Sequence, residues 1–503
     1  MIETIANINN AVNSFVWGLP MLVLLVGTGI LMTILTKCFQ LTHFKYWMKH
    51  TLGGIFVNKK VTAHTAKEDR QISQFQSLCT ALAATIGTGN IAGVAAALAT
   101  GGPGSIFWMW ITAFFGMMTN YSENVLGIFY RRKNEHGEWS GGAMYYLNDG
   151  LGSKKNCKYL GKTLAVLFAV FCVLASFGIG NMSQINSIAV NMNSVFGVPM
   201  FITGIFLMII AGLVVVGGIK RIAAVTEKLV PFMAIVYVAG AIIIVIFNYD
   251  QLAAAFTAIF KGAFAMKAVG GGIVGSGVRS AVTWGMKRGV FSNEAGLGSS
   301  VMVHSASNVK EPVQQGMWGI FEVFADTIVV CTLTALAVLT SGVMDLSTGE
   351  MISSAEKTAL VSESFSTVFG PAGGAFIAIA ILLFAFSTTL GWSIYGTKAF
   401  EYLFGTKATI GYKVVFVVFI AVGATMNLEL AWDLSDTFNG LMAIPNLIGV
   451  LSLSGTVSAI TKNYIDRRIN GKDINPMYSA FPVIQKEQED RVKAEKEQQE
   501  EAV

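Results

Sequence analysis

The sequence predicts an all-α polytopic membrane protein with about eleven transmembrane helices, one at the N-terminus and ten in two inverted repeats of five. Two observations predict this class. Across 503 residues, 53% are hydrophobic and only 13% are charged, whereas soluble domains carry about 25% charged residues. The apolar residues also form runs of about 17–25 residues, the length that a helix needs to cross a bilayer.

Ten such runs can be placed directly. They are 14–36, 75–99, 105–130, 163–192, 198–218, 227–248, 315–340, 371–402, 410–426 and 434–461. An eleventh, interrupted span is expected within residues 250–310, where two glycine clusters occur. The segment 1–13 has no basic region, so it is expected to stay as an extracellular N-terminus rather than to be a removable signal peptide.

The span 75–99 contains the run Thr85-Ile86-Gly87-Thr88-Gly89-Asn90, in which two glycines stand among threonines and an asparagine. Each glycine costs roughly 1 kcal/mol relative to alanine inside a helix. Broken backbone is tolerated in a membrane only where it is buried in protein or lines a cavity. The run is therefore expected to hold a polar solute at mid-membrane depth, beside Thr85, Gly87, Thr88 and Gly89, and this indicates transport.

The ten spans after the first divide into two halves, residues 75–248 and 277–461. Because five spans per half is an odd number, the second half must be inverted, an arrangement that places a solute between discontinuous helices. The second half opens with its own interruption, Phe291–Gly298. Glycines also allow close helix packing, yet two breaks at matching positions favour a site. The polar tail 462–503 is expected to be a solvated helix or a disordered segment.

Charges in the loops predict the orientation. Four connections are rich in lysine and arginine: 37–74, 131–162, 219–228 and 398–413. The alternate connections 193–198 and 427–436 have neither residue, and 341–369 is acidic. Because basic loops stay in the cytoplasm, we expect a plasma (inner) membrane protein with its N-terminus outside and its C-terminus in the cytoplasm. Four basic residues fall on the predicted outer side and are exceptions to this charge pattern: Lys261, Lys267, Lys287 and Arg288.

The two ends of a broken helix have opposite polarity. Free N–H groups attract anions and free carbonyls attract cations, so a zwitterionic amino acid with a co-bound cation suits both ends.

Asn90 can offer its side-chain oxygen to an alkali cation or form an interhelical hydrogen bond. Asp326 lies mid-span, where a carboxylate is functional by default, so we expect cation coordination or protonation. The alternative is a buried hydrogen bond to Thr327 or Asn90. Ser387 and Thr388 can supply hard oxygens or bond back to the preceding helical turn.

Other side chains are candidates for the substrate pocket and its gate. Asn181 and Gln184 are three residues apart and share a helix face, so they either join helices or contact the substrate. Three aromatic residues are expected to wall a small pocket: Phe177, Phe291 and Trp392. Three charged residues near the second break are candidates for a gate or an internal ion pair: Lys287, Arg288 and Glu294.

Several other functions are not supported by the sequence. The run Gly270–Gly275 matches G-x-G-x-x-G, but no βαβ unit surrounds it, and no G-x-x-x-x-G-K-[ST] motif is present. No nucleophile or metal constellation indicates an enzyme, and no basic-aromatic surface indicates nucleic acid binding. The sequence likewise indicates no obligate protein partner. A channel is the less favoured alternative, because the polar residues cluster near the middle of the membrane instead of forming a continuous path.

Five runs resemble the alanine/glycine:cation symporter family. They are Thr85–Gly93, Gly101–Trp110, Phe177–Asn181, Arg288–Gly298 and Leu390–Ser393. The likeness extends over about residues 10–465. It departs from the family at Ser299–Val303, where a proline and more alanine are expected.

The resemblance implies sodium-coupled uptake of alanine or glycine through the fold of the amino acid-polyamine-organocation superfamily, with sodium as the coupling ion and no other metal or cofactor. It implies substrate contacts from Thr88, Gly89, Gln184, Phe291 and Trp392. The alternatives left open are another neutral amino acid, such as serine or glutamine, and coupling to protons.

A looser similarity of Gly87–Asn90 to neurotransmitter:sodium symporters implies two sodium sites. Asn90 and the carbonyl of Thr85 would line the first, and the carbonyl of Ile86 would line the second with Ser387 and Thr388.

Overall fold

The structure, a computed structural model, describes residues 2–65, 71–264, 276–355, 357–426 and 429–500. The described residues are mostly helical, with two short antiparallel hairpins, β1–β2 (Arg132–Lys133 with Trp139–Ser140) and β3–β4 (Met344–Asp345 with Glu350–Met351). Three basic residues of the charge pattern lie outside the described residues: Lys67, Arg70 and Lys267.

The helices of the first half follow from the apolar runs. They are α1 (Ile2–Val16), α2 (Leu19–Leu35), α3 (Phe39–Thr42), α4 (Phe44–His50), α5 (Leu52–Val57), α6 (Lys59–Thr62), α7 (Gln74–Thr85), α8 (Val94–Gly101), α9 (Gly104–Phe129), α10 (Ala143–Tyr145), α11 (Lys158–Phe177), α12 (Ser183–Phe196), α13 (Met200–Val215), α14 (Gly218–Phe247) and α15 (Leu252–Phe264). Three segments adopt the wider π-helical turn: Gly89–Gly93, Tyr146–Leu151 and Gly178–Met182.

The second half repeats the order of long and short helices. Its helices are α16 (Ser276–Asn293), α17 (Val301–His304), α18 (Pro312–Val323), α19 (Thr332–Thr340), α20 (Thr358–Phe369), α21 (Ala372–Phe404), α22 (Thr409–Thr425), α23 (Glu429–Ser452), α24 (Ser454–Arg468) and α25 (Pro482–Glu500). A fourth π-helical segment, Phe324–Cys331, joins α18 to α19, and short 3-10 turns occur at Tyr249–Gln251 and Thr406–Ala408.

Length and composition identify most of the predicted spans. Within the described ranges, six continuous helices are long and apolar enough to cross a membrane, and two bent pairs raise the number to eight. The three further predicted spans correspond to α9, α13 and α16. The second half of α9 is buried along its whole length, so its asparagines and glutamate face protein, which explains why hydropathy alone does not identify it as a span.

Helices at equivalent positions of the two halves pack against each other. α9 contacts α18, α11 and α12 contact α21, and α13 contacts α22. Each half begins with an interrupted helix, Gln74–Gly101 in the first and Ser276–His304 in the second. This arrangement fits two repeats related by an axis between them, and it brings the two interruptions to the centre of the bundle.

Three boundaries differ from the sequence-based expectation. The N-terminal helix begins at Ile2 rather than near residue 14, and it continues almost directly into α2. The predicted span 434–461 ends at Ser452, where the chain bends by 58° into α24. The tail is partly docked rather than simply solvated, because Ala480 donates its N–H to the carbonyl of Phe129 at 2.9 Å.

Arg131, at the end of α9, anchors the segment that follows the second interruption. Its buried guanidinium donates to the carbonyls of Ser305, Ser307 and Val309 at 3.1, 2.7 and 2.5 Å. The ring of Trp139 lies 4.0 Å from the same guanidinium. Since this group satisfies three backbone acceptors at once, the chain after α17 is held against α9.

Replacing Gly104 with alanine should destabilise the fold, because α9 and α15 touch there backbone to backbone. A Cβ on Gly104 would lie 2.2 Å from the carbonyl carbon of Gly262, and overpacking of this kind costs about 1–3 kcal/mol. We expect a lower thermal midpoint in detergent, measured by size-exclusion chromatography after heating. Gly411→Ala is the control, since a Cβ there meets nothing within 4 Å; equal midpoints for the two variants would contradict the packing.

Candidate functional site

The first interruption breaks the helix at Ile86 and Gly87. α7 ends at Thr85, Ile86 is extended (φ −77°, ψ 92°), and the axis turns by 51° before the chain resumes through the π-helical segment into α8. Gly87 donates its backbone N–H to the side-chain oxygen of Asn90 at 2.9 Å. The asparagine therefore supplies the hydrogen bond that the broken helix loses.

The second interruption starts and ends later than the sequence predicted. Phe291–Asn293 are still helical, and the irregular segment runs from Glu294 to Ser300. Glu294, Gly296 and Gly298 have positive φ values of 56°, 93° and 73°. A side-chain residue in this left-handed region is strained, so the conformation of Glu294 must be fixed by its surroundings.

A fully buried polar cluster joins the two interruptions. Asn90 Nδ2 donates to Asp326 Oδ1 at 2.6 Å, and Ser292 Oγ donates to Asp326 Oδ2 at 2.8 Å. Thr327 Oγ1 donates to the same Oδ2 at 2.8 Å. The cluster thus gathers an amide from the first broken helix, a hydroxyl from the second, and a carboxylate and a hydroxyl from the π-helical segment Phe324–Cys331. Its carboxylate and hydroxyl oxygens are the hard donors that a small cation prefers.

A second group of oxygens lies where α21 meets the first interruption. Ser387 Oγ lies 3.3 Å from the carbonyl of Ala83, and Thr388 Oγ1 lies 3.4 Å from the carbonyl of Ile86. Both hydroxyls also bond back to the carbonyl of Phe384, at 2.8 and 3.0 Å. The bonds to the preceding turn are the shorter ones, so the hydroxyls have a partner on their own helix as well as on the broken one.

A small cavity lies between the two interruptions. Its free volume is about 20 Å³, which is room for about one water molecule. A solute of several heavy atoms therefore requires its walls to move apart. The lining residues are Ala84, Thr85, Gly87, Thr88, Gly89, Ile179, Gln184, Phe291, Glu294, Thr388, Trp392 and Asn439.

Trp392 forms one wall of this cavity and is held in place by Glu294. Its indole N–H donates to Glu294 Oε1 at 2.9 Å, while Ser299 Oγ donates to Glu294 Oε2 at 2.5 Å. A Cβ on Gly180 would lie 2.4 Å from the Cβ of Trp392, so the glycine leaves the space that the indole occupies. The wall is therefore fixed both by packing and by a buried carboxylate.

The polar lining of the cavity is only partly satisfied. Gln184 Oε1 accepts from the backbone N–H of Thr88 at 3.4 Å, and its amide donates to the carbonyl of Ile179 at 3.0 Å. The hydroxyl of Thr88 and the side-chain oxygen of Asn439 are buried without a partner. These atoms are available to a polar solute in the cavity.

Two predicted pocket residues, Phe177 and Asn181, and two gate candidates, Lys287 and Arg288, lie outside the lining of this cavity. Phe177 packs against the rings of Tyr412 and Phe416 on α22. Asn181 donates to the carbonyl of Phe416 at 2.7 Å. Lys287 pairs with Asp436 at 2.8 Å. The guanidinium of Arg288 lies 5.5 Å from the ring of Phe291, outside the lining of the cavity.

Three polar residues of this region were not predicted from the sequence: Ser292, Asn439 and Asp436. Ser292 stands within the predicted second interruption, so a polar side chain next to the break was the available signal. Asn439 is a mid-span asparagine, and Asp436 lies near the start of α23. Asp436 pairs with Lys287, and Asn439 lines the cavity with residues of the first interruption. Both contacts join segments that are far apart in the sequence, so the sequence did not indicate them.

A larger cavity of about 1150 Å³ opens beside the end of α8, α15 and the β3–β4 hairpin. It lies away from the buried polar cluster and contains few charged side chains. Residues 265–275, which follow α15 in the chain, lie outside the described part.

Comparison with known proteins identifies the family. The model of the sodium:alanine symporter family matches residues 2–478. The chain belongs to this family. The sodium/alanine symporter AgcS of Methanococcus maripaludis is 47% identical over 461 residues, covering 92% of this chain and 97% of that protein. The probable sodium/glutamine symporter GlnT of Bacillus subtilis is 34% identical, covering 94% and 93%.

The fold is LeuT-like. A crystal structure of MhsT in complex with L-phenylalanine aligns with a TM-score of 0.51 and 14% identity, covering 78% of this chain and 99% of that one. The predicted fold class and the predicted family are both confirmed. The protein is a multi-pass, sodium-coupled amino acid symporter, and a transporter rather than an enzyme.

Proposed function

We propose that this symporter imports alanine or glycine together with sodium by alternating access, with its C-terminus in the cytoplasm. The observation that supports a small substrate is the cavity between the broken helices, which is narrow and bounded by Phe291 and Trp392. A larger side chain would have to displace one of these rings. The 47% identical relative named as a sodium/alanine symporter supports the same substrate.

The substrate's charged ends fit the polar atoms of the first interruption. The carboxylate would lie against the N–H end of the chain at Gly89 and the unpartnered hydroxyl of Thr88, because a helix N-terminus attracts anions. The ammonium group would face the carbonyls released at Thr85 and Ile86, with Gln184 fixing the orientation. The methyl group of alanine would then point at Trp392.

Sodium would occupy the polar cluster around Asp326. Asn90, Ser292 and the carbonyl of Thr85 would complete the shell, so that one ion contacts both broken helices and the helix that contains Asp326. The oxygens of Ile86, Ser387 and Thr388 form a second candidate site. One sodium ion moving down 100 mV supplies about 2.3 kcal/mol, enough for a roughly 50-fold substrate gradient.

Lys287 and Asp436 are suited to an outer gate. The ion pair joins α16 to α23, and Asn13 and Trp17 of the N-terminal helix donate to Asp436 at 3.2 and 3.1 Å. Opening on this side would have to break that pair. Arg288, stacked near Phe291, would move with the same helix.

Asp326→Asn should weaken sodium binding, because it removes the only formal negative charge of the proposed sodium cluster. In proteoliposomes with radiolabelled alanine, we expect the sodium concentration for half-maximal uptake to rise by about tenfold or more, which corresponds to about 1.4 kcal/mol. Ser292→Ala should cause a smaller rise. Asp250→Asn, at an exposed aspartate, is the control; an unchanged sodium requirement in Asp326→Asn would refute the assignment.

Trp392→Ala should admit bulkier neutral amino acids, because it removes the wall opposite the first interruption. We expect leucine to compete with alanine uptake roughly tenfold better than in the wild type. Trp392→Phe keeps an aromatic wall while losing the hydrogen bond to Glu294, so it should retain the selectivity. If Trp392→Ala selects substrates as the wild type does, or if the wild type accumulates glutamine as well as alanine, the proposed pocket is wrong.

A further inference from the structure

The connection between α2 and α7, residues 37–65, is strongly basic. It contains five lysines and three histidines but neither aspartate nor glutamate. In the part of the chain that the structure describes, four of these lysines have no acidic side chain within ion-pair distance: Lys37, Lys45, Lys49 and Lys59. A surface that concentrates positive charge in this way attracts an anionic partner.

One side of this connection, which consists of α3 to α6, is packed onto the bundle. The buried ring of Phe39 lies 5.4 Å from that of Tyr121 on α9. The buried ring of Trp47 lies 6.2 Å from that of Phe324, and its indole N–H donates to the carbonyl of Gln40 at 2.9 Å. These contacts fix the connection against the protein, so its other side has a defined surface.

That other side exposes large apolar side chains beside the lysines. Phe56 and Val57 are 81% and 86% exposed. Lys45 and Lys49 are four residues apart on α4 and are therefore neighbours on its surface. Three more apolar side chains are exposed around them: Leu41, Phe44 and Leu52. Exposed apolar side chains in this number mark a surface that contacts lipid or another apolar partner.

Lipid is the partner that suits both the charge and the apolar side chains. The connection begins directly after the membrane span Ala6–Leu35 and returns to the membrane at α7, the first part of a bent span. Ile34, at the end of the first span, is itself 65% exposed. Segments that combine exposed Phe and Leu with lysines lie in the headgroup region, with the rings among acyl chains and the ammonium groups at the phosphates.

We propose that the α3–α6 connection binds anionic phospholipids, with Lys45 and Lys49 at the headgroup phosphates and Phe56 and Val57 among the acyl chains. The inference goes beyond the proposed transport function and does not depend on which amino acid is carried. Negatively charged lipids attract basic segments that adjoin a membrane span. Because α4 packs against α18, bound lipid also stabilises the position of that helix.

The test measures the thermal midpoint of the purified full-length protein in neutral detergent, by size-exclusion chromatography after heating. Phosphatidylglycerol should raise the midpoint by about 2 °C or more above its value in phosphatidylcholine, because a ligand that binds the folded state stabilises it. Glycerol 3-phosphate, the soluble headgroup without acyl chains, should leave the midpoint unchanged. Lys45→Gln/Lys49→Gln should lose most of the difference between the two lipids.

Two further double variants complete the test. Lys486→Gln/Lys493→Gln is the matched control, because it removes two exposed lysines from α25, a helix that also contains acidic residues; it should keep the full difference. Phe56→Ser/Val57→Ser retains the lysines but removes the apolar contact, so it should reduce the rise that phosphatidylglycerol causes. Since both side chains are exposed, this variant keeps the proposal testable if the first lysine variant does not fold.

Four outcomes would overturn the proposal. They are equal wild-type midpoints in the two lipids, a full difference in Lys45→Gln/Lys49→Gln, an equal loss in the control variant, and a rise of the same size with glycerol 3-phosphate. The last result would mean a site for soluble anions instead of lipid. None of these measurements involves transport, so the proposed function is tested separately, by the sodium dependence of alanine uptake.

Discussion

The hydrogen bonds of Asn90 are the interaction on which the site depends. A helix that breaks inside a membrane leaves peptide groups that lipid cannot satisfy. Asn90 accepts from the N–H of Gly87 with its oxygen and donates to Asp326 with its nitrogen. One side chain therefore satisfies the backbone at the break and also orients the carboxylate of the proposed cation site beside it.

The second interruption is stabilised from outside its own helix. Asn446 on α23 donates to the carbonyl of Gly296 at 2.8 Å and to the carboxylate of Glu123, and it accepts from Tyr146. The first break is thus tied to Asp326, and the second to α9 and α23. Ser292 also contacts Asp326, so an ion in that cluster would bind together two segments that otherwise have different supports, as a coupled transporter requires.

Much of this was predictable, and the failures have a physical reason. Glycines and polar residues within apolar runs predicted both interruptions. The same signal identified Asn90 and Asp326 as candidate site residues. Asn181 and Gln184 were expected to share a face because they are three residues apart. The π-helical turn at Gly178–Met182 changes that spacing, and Asn181 faces α22 while Gln184 lines the cavity. Hydropathy does not show where a helix widens, so the facing of these side chains could not be predicted.

The distribution of buried charge explains why this fold needs a cation. Toward the ends of the helices, acids are paired with bases, as in Glu311 with Arg467 and Lys398 with Glu401. At the centre, the carboxylates of Glu123, Glu294 and Asp326 accept hydrogen bonds from neutral groups, and the described residues place no lysine or arginine within ion-pair distance of them. A zwitterionic amino acid brings no net charge to this region. A bound cation lowers the electrostatic cost of these buried carboxylates, which fits the coupling of transport to an ion.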